Sequence, residues 1–331
     1  MSAEAPLIAR LFAKLEDGEF HSGEGLAREL AVSRGAIWKA ARGLRDLGAT
    51  VHAVRNRGYR LAAAAEALDA HRIRELLADD VRERVRGLDA VWTIGSTNTE
   101  LLQRPNPPFG AAEAILAEYQ TAGRGRRGRA WLAPPGGAIC LSMSWAFREV
   151  PRDLGALGLV IGVCALRTLA LLGVADLRLK WPNDLLVADR KLGGILIELR
   201  AESGGPACVV IGIGLNVALG SELSTKISDM GLAPIDLIGA GLRHPARNAV
   251  AAGLINSFVH GLLGFERDGL KPYVREWLAA DALRGRQVTV ESGTGRTVGI
   301  ARGIDLDGSL LVETNQGLQR FISGDVSVRA V

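Results

Sequence analysis

Apolar residues near the amino terminus recur at helical spacing, with Leu7, Ile8, Leu11 and Leu15 on one stripe. A second helix is expected around Gly25 to Leu30. Ala31-Val32-Ser33 reads as a turn, with Ser33 as N-cap of a third helix running to about Leu47. On that helix Ile37, Ala40, Ala41, Leu44 and Leu47 share a face, while Gly35, Trp38, Lys39, Arg42 and Asp46 fall on or near the other. The period then shortens: Val51 to Leu61 reads as a hairpin with Arg55-Asn56-Arg57-Gly58 at its tip. Three helices and a basic wing predict a winged helix-turn-helix over residues 1–62. Its DNA-facing residues would be Ser33, Arg34, Gly35, Trp38, Lys39 and Arg42 on the recognition helix, with Arg55 and Arg57 in the wing. The competing reading is a solvated helix face with ordinary charges.

Ala62 to Ala67 carries one charge and no glycine or proline, which predicts a short helical connector. Over residues 68–280, strand-like runs at Ala114–Glu118, Ile139–Trp145, Arg178–Trp181, Gly194–Leu199 and Cys208–Gly214 alternate with helical stretches at 154–172 and 246–267. That mixture predicts a mixed sheet with helices packed on it. Leu154 to Leu172 has Arg167 as its one charge and is long enough to cross a bilayer. Glycines dilute it, and it lies between two ligand motifs, so a core helix is expected and no membrane. Residues 283–331 hold short strands at Gln287–Glu291, Thr297–Ile304, Leu310–Thr314, Leu318–Ile322 and Val326–Arg329, with a turn at Asp307-Gly308. They read as a small SH3-like β-barrel. The expected class is therefore α+β and multidomain.

At 331 residues there is room for a substantial central core. A net charge of +4 favours anionic partners without specifying one. Cys140, Cys164 and Cys208 are too few and too widely spaced for a disulfide framework or a metal-ligand pattern. Free thiols suit a reducing cytoplasm. No basic start followed by an apolar run marks a secretory signal, so the expected location is cytoplasmic.

The densest chemistry lies in Gly123-Arg124-Gly125-Arg126-Arg127-Gly128-Arg129-Ala130-Trp131, with no carboxylate between Tyr119 and Trp131. Glycine permits close backbone approach to a ligand, and arginine offers forked donors to carboxylate or phosphate. Mutual repulsion predicts a loop disordered when empty and ordered by a polyanion. Gly123, Gly125 and Gly128 match G-x-G-x-x-G, but that fingerprint needs a helix directly after it. Here Ala130 to Gly137 reads as an extended piece and a turn, which excludes a dinucleotide fold.

Downstream come Lys180-Trp181-Pro182-Asn183-Asp184, then Lys191-Leu192-Gly193-Gly194-Ile195-Leu196-Ile197-Glu198, then Gly212-Ile213-Gly214-Leu215-Asn216-Val217; Gly95-Ser96-Thr97-Asn98 lies upstream. In this order they resemble the biotin protein ligases. The two ends are similar to the bifunctional form that also represses the biotin operon, so the resemblance covers nearly the whole chain. It implies a central domain like a class II aminoacyl-tRNA synthetase core. It also implies a two-step reaction: biotin and ATP give biotinyl-5′-AMP, and a lysine of a biotin carboxyl carrier domain of acetyl-CoA carboxylase then takes the biotin, with Mg²⁺ assisting. The further implied partners are operator DNA and a second copy, in a homodimer promoted by the adenylate.

By the same resemblance Lys191, Arg126 and Asp184 are the catalytic residues. Ser96, Thr97, Asn98, Gln120, Arg124, Gly125, Arg126 and Lys191 would bind biotin; Arg126, Arg129, Trp131, Asn183, Asp184 and Asn216 would bind ATP or the adenylate. Trp38 and Gly194 depart from the pattern, where the repressor form has a polar residue and an alanine. Three other readings stay open: a biotin-sensing repressor without ligase activity, a ligase whose head does not repress, and the related lipoate ligases. The arginine run and the Lys180–Asp184 motif favour biotin.

Overall fold

The computed structural model describes residues 5–149, 151, 153–201, 207–229, 233–292, 295–322 and 327–330. The head contains α1 (Leu7–Lys14), α2 (Gly23–Glu29), α3 (Arg34–Asp46), β1 (Val51–Val54) and β2 (Gly58–Leu61). Serines start the second and third helices: Ser22 Oγ accepts from Gly25 N at 3.0 Å and Ser33 Oγ from Ala36 N at 3.2 Å. Leu11, Leu15, Leu26, Ile37 and Leu44 meet in the centre of this unit. The wing turns at Gly58, where φ is 98° and a Cβ would stand 1.9 Å from the His21 carbonyl oxygen. Glycine alone permits the paired His21 and Tyr59 backbones to close there.

The connector is not helical. Residues 62–69 run as bends and extended chain, because their N–H groups are taken by partners outside the segment. Ala65 N donates to the Glu16 carbonyl at 2.9 Å and Ala67 N to the Glu16 carboxylate at 3.2 Å. Leu68 N donates to Glu118 at 2.7 Å and Asp69 N to Asn248 at 2.9 Å. These bonds outweigh the helix propensity of alanine, which is only a weak prior.

Next come α4 (Ala70–Glu75), α5 (Asp79–Arg84), β3 (Val85–Ile94), α6 (Thr97–Gln103), β4 (Ala112–Gln120), β5 (Ala138–Ala146), α7 (Leu157–Leu171), β6 (Leu177–Lys180), β7 (Asp184–Val187), β8 (Arg190–Ala201) and β9 (Ala207–Asn216). They are followed by α8 (Ser221–Asp229), α9 (Arg247–Asp268) and α10 (Val274–Ala280). The seven strands form one sheet in the order β3-β4-β5-β9-β8-β7-β6, with only β3 and β4 parallel. Period-two alternation divides its central strands. Ile139, Leu141, Met143, Ile211 and Ile213 face the large core shared with α7 and α9. Cys140 and Ser142 pair with Gly214 and Gly212 and face the other side, under α6. Two helical spans, Leu154–Leu171 and Arg247–Asp268, are long and apolar enough to cross a membrane by composition, and more than half of each is buried inside the fold.

The last unit is a five-stranded antiparallel sheet of β10 (Gln287–Ser292), β11 (Gly295–Ile304), β12 (Leu310–Thr314), β13 (Gly317–Phe321) and β14 (Ser327–Ala330), in the order β13-β12-β11-β10-β14. Val326 of the last expected strand lies outside the described residues. The Asp307-Gly308 turn joins β11 to β12, and the Gly308 carbonyl accepts from Trp181 Nε1 at 3.0 Å, fixing this sheet to the central one.

At that junction Asp281 is buried. Its Oδ1 accepts from Leu283 N at 2.8 Å, while its Oδ2 has no partner. Burial pushes this carboxyl up to about 6, from 3.8 when free. A raised folded-state value means the folded form holds its proton longer than the unfolded one, so stability falls as pH rises from about 4 to about 6. Asp281→Asn, which mimics the protonated side chain, should stabilise the protein by roughly 2 kcal/mol at pH 7 and by almost nothing at pH 4. Denaturant unfolding at the two pH values measures this; equal gains at both would refute the assignment.

Candidate active site

A cavity of about 730 Å³ opens on the α6 side of the sheet, within the range of small-molecule sites. One end is neutral and hydrogen-bonding, the other cationic. At the neutral end Ser96 caps α6, and Thr97 and Asn98 enter the floor; all three are buried. Thr97 N donates to Gln120 Oε1 at 2.8 Å. Ser142 Oγ lies 2.7 Å from Thr97 Oγ1 and 2.5 Å from Asn98 Oδ1. Gly212 leaves space for Asn98, since a Cβ there would stand 2.2 Å from Asn98 Oδ1. Gly214 does the same for Trp131, whose ring lies against its backbone.

The arginine loop has a closed shape. Gly125 N donates to the Arg129 carbonyl at 2.7 Å and Trp131 N to the Gly123 carbonyl at 2.9 Å, with Arg127 and Gly128 both at positive φ. Charge repulsion alone predicts disorder for the empty loop, whereas these bonds tie its two arms together. No helix follows it, as the dinucleotide fingerprint would demand. Arg126 is half-buried and reaches Asn183 Oδ1 at 3.4 Å; Arg127 and Arg129 are exposed at the rim. Arg124, also on the cavity wall, is held by Glu198 at 2.9 Å.

The cationic end is built by a hairpin. Ala188 and Asp189 both have positive φ, the conformation of a two-residue type I′ turn, and they reverse β7 into β8. The turn brings Lys191 Nζ to 2.6 Å from Asp184 Oδ1. Asn183, after a cis Trp181–Pro182 bond, braces the same strand: its Nδ2 donates to the Ile195 carbonyl at 2.6 Å. Asn216 donates from Nδ2 to the carbonyls of Lys191 and Ile235, at 3.2 and 3.0 Å. Both neighbours are acceptors, so the orientation of this amide is fixed. Its buried Oδ1 has no partner.

Family models match residues 93–216 as a biotin/lipoate A/B protein ligase, 284–329 as a biotin protein ligase C-terminal domain, and 9–60 as a helix-turn-helix domain. The chain is 39% identical to the bifunctional ligase/repressor BirA of Salmonella typhimurium over 97% of both proteins, and 31% identical to that of Bacillus subtilis over 94% of both. The biotin protein ligase of Aquifex aeolicus, solved with biotin and ATP, superposes with a TM-score of 0.63 at 26% identity, over 74% of this chain and all of that one. This chain belongs to the biotin protein ligase family.

It has that family's bifunctional form, with a helix-turn-helix head on a mixed-sheet ligase core and a C-terminal antiparallel sheet. The ligase cavity gathers Ser96, Thr97, Asn98, Gln120, Arg124, Gly125, Arg126, Arg129, Trp131, Asn183, Asp184, Lys191 and Asn216 on its wall. Cationic side chains outnumber carboxylates there, as a site for polyanions requires. Sequence reasoning missed Ser142, Asp189 and Arg286 on this wall, and Glu198 behind it. A serine in a strand buried along its whole length was the available signal for Ser142; nothing local marked Arg286, which arrives from the C-terminal sheet. Cys140 lines the floor, and burial pushes its thiol up to about 11, so it is a structural group and no nucleophile.

In the ligase's head Ser33, Arg34, Gly35, Trp38, Lys39 and Arg42 are all exposed, on or beside the outer face of α3. Arg55 and Arg57 are exposed at the wing. Arg57 also stacks on Phe20, with its Cζ 4.1 Å from the ring centroid, which steadies the wing against the first helix's exit.

Proposed function

We propose that this ligase condenses biotin with ATP into biotinyl-5′-adenylate and pyrophosphate, then passes the biotinyl group to one lysine of a biotin carboxyl carrier domain of acetyl-CoA carboxylase, releasing AMP. The observation that carries the reading is the Lys191–Asp184 pair, 2.6 Å apart in a basic cavity that continues into a neutral hydrogen-bonding floor. The first step brings a carboxylate onto an anionic α-phosphate, and fixed cations offset that repulsion best in a site closed to water. Lys191 lies where an ammonium stabilises charge shared between the two reacting groups. Asp184 aims it, and Arg126 closes over the same point from the loop. Arg129 meets the outer phosphates, Trp131 offers a face to adenine, and Asn216 lies on the wall beside the phosphate and ribose. Asp184 and Asp189 are the cavity's carboxylates, and Mg²⁺ commonly needs only one or two beside the phosphates. Held chiefly by the ATP phosphates, such an ion would neutralise the leaving pyrophosphate.

The head represses. With the adenylate bound, two copies pair and present two recognition helices to a two-part operator upstream of biotin-synthesis genes, so demand for biotin sets its supply. All of this takes place in the cytoplasm. Intact mass of a carrier domain after incubation with the protein, ATP, Mg²⁺ and either biotin or lipoate tests the ligase. One biotinyl addition, absent from a carrier lacking its target lysine, is expected. No addition by a folded chain that binds biotin would leave only a repressor.

A further inference from the structure

Of the six tryptophans in the chain, Trp38 is the one that stands exposed, at 48%. It lies on the outer stripe of α3, where Gly35, Trp38, Lys39 and Arg42 follow one another at helical spacing and all face solvent. A single exposed apolar side chain is common on protein surfaces and says little by itself. What singles this one out is the glycine one turn before it. Three of the four glycines in α2 and α3 have reasons inside the fold. A Cβ at Gly23 would stand 3.3 Å from the Tyr59 ring, at Gly25 2.9 Å from Ser22 Oγ, and at Gly43 3.1 Å from Ile8 Cδ1. Beyond its own helix, a Cβ at Gly35 would meet nothing closer than Ser33 Oγ at 3.8 Å, an ordinary contact, and its backbone is helical. The folded chain has room for alanine there, and alanine is the better helix former. The missing side chain is felt only on the outward surface, where it lets the helix backbone come closer to whatever docks on that face.

The occupant has to meet positive charge around an apolar spot. Arg34, Lys39 and Arg42 are exposed beside the ring, and Arg42 Cζ lies 5.9 Å from its centroid. A DNA major groove matches this pattern, with phosphates along its walls and the thymine methyl as the apolar group on its floor. Indole donates one hydrogen bond and accepts none, so the ring reads a methyl by contact better than it reads a base edge by hydrogen bonds. We infer that Gly35 and Trp38 form a notch and a wedge on the recognition helix, and that this pair reads a thymine methyl in each half of the operator. Gly35 lets the helix sink into the groove, Trp38 covers the methyl, and Arg42 meets a phosphate beside it. The inference rests on the proposed reading of operator DNA by the head and adds the base chemistry that the head selects.

The full chain, with biotin, ATP and Mg²⁺, first selects duplexes from a random library. Thymines of the selected duplex are then replaced by deoxyuridine, which deletes the methyl and leaves each base pair intact. At one position per half-site the replacement should cost about fourfold in affinity, the worth of one buried methyl, and about 15-fold when both halves are changed. With Trp38→Ala the double replacement should cost less than about twofold, because methyl and ring form one contact. Trp38→Ala should leave the slope of affinity against salt unchanged, whereas Arg42→Ala should lower it by about one. Gly35→Ala should leave the full chain at least as resistant to denaturant and yet weaken operator binding several-fold, so a folding defect cannot account for the loss. Affinity that ignores every thymine methyl, a methyl effect that survives Trp38→Ala, or undiminished binding by Gly35→Ala overturns the inference and leaves a repressor with another base preference. Enrichment of no sequence sinks the repressor reading itself, and this inference with it.

Discussion

Lys191→Ala lowers the rate of adenylate formation by about 10²–10³-fold and leaves the protein folded. Lys191 Nζ sits 2.6 Å from Asp184 on the cavity wall, where its ammonium is one of several cations gathered there. Its backbone bonds to Ala233 and Ile235 involve the N–H and C=O that alanine also has, and the strand stays intact. The lost interaction forms with charge that develops in the transition state, so kcat should fall while the KM for biotin changes little. Pyrophosphate release in single-turnover experiments reads the effect directly. A fall of less than about threefold would mean that the ammonium is only a surface charge beside a hairpin, and a fall confined to KM would make it a binding group.

The second large effect is on stability. Arg247→Met should cost about 3–5 kcal/mol, because it strands a buried charge. Arg247 and Glu118 are 1% and 5% exposed and 2.9 Å apart. The guanidinium also donates to the carbonyls of Glu66 and Ala138, both at 2.7 Å. Without it Glu118 keeps only the N–H groups of Leu68 and Gly136, too little to replace water around a carboxylate. The double variant Arg247→Met with Glu118→Leu should recover part of the loss, since replacing a whole buried pair is far less costly than halving it. Denaturant midpoints for the three proteins measure this. A single-variant loss below about 1 kcal/mol would show that water reaches the pair.

The head is legible from its sequence because local chemistry decides it: a capping serine at Ser33, apolar stripes on the first and third helices, and a glycine at the tip of the wing. The sheet's central strands are legible for a related reason, as short apolar runs bounded by turn residues leave few alternatives. The β7–β8 turn escaped because Ala188-Asp189 lacks the Asn-Gly signature that announces such hairpins. The connector was misjudged because propensity argues for alanine helices while distant groups, Glu16, Glu118 and Asn248, hold its N–H groups. In the site, the cations were visible as types and spacings. What was not visible is which carboxylate each one meets: Lys191 meets Asp184 from the same hairpin, and Arg124 meets Glu198 from 74 residues away.

The pinned connector bears on how a paired molecule meets DNA. A tether bonded along its length has no slack, so in the proposed homodimer the span between recognition helices is set by how two ligase cores abut. One base pair added between operator half-sites turns one against the other by about 34°. A connector pinned at Ala65, Ala67, Leu68 and Asp69 resists following that turn, and the cost passes to untwisting the double helix. Operator phasing then becomes a property of the enzyme's core, written far from any residue that touches a base.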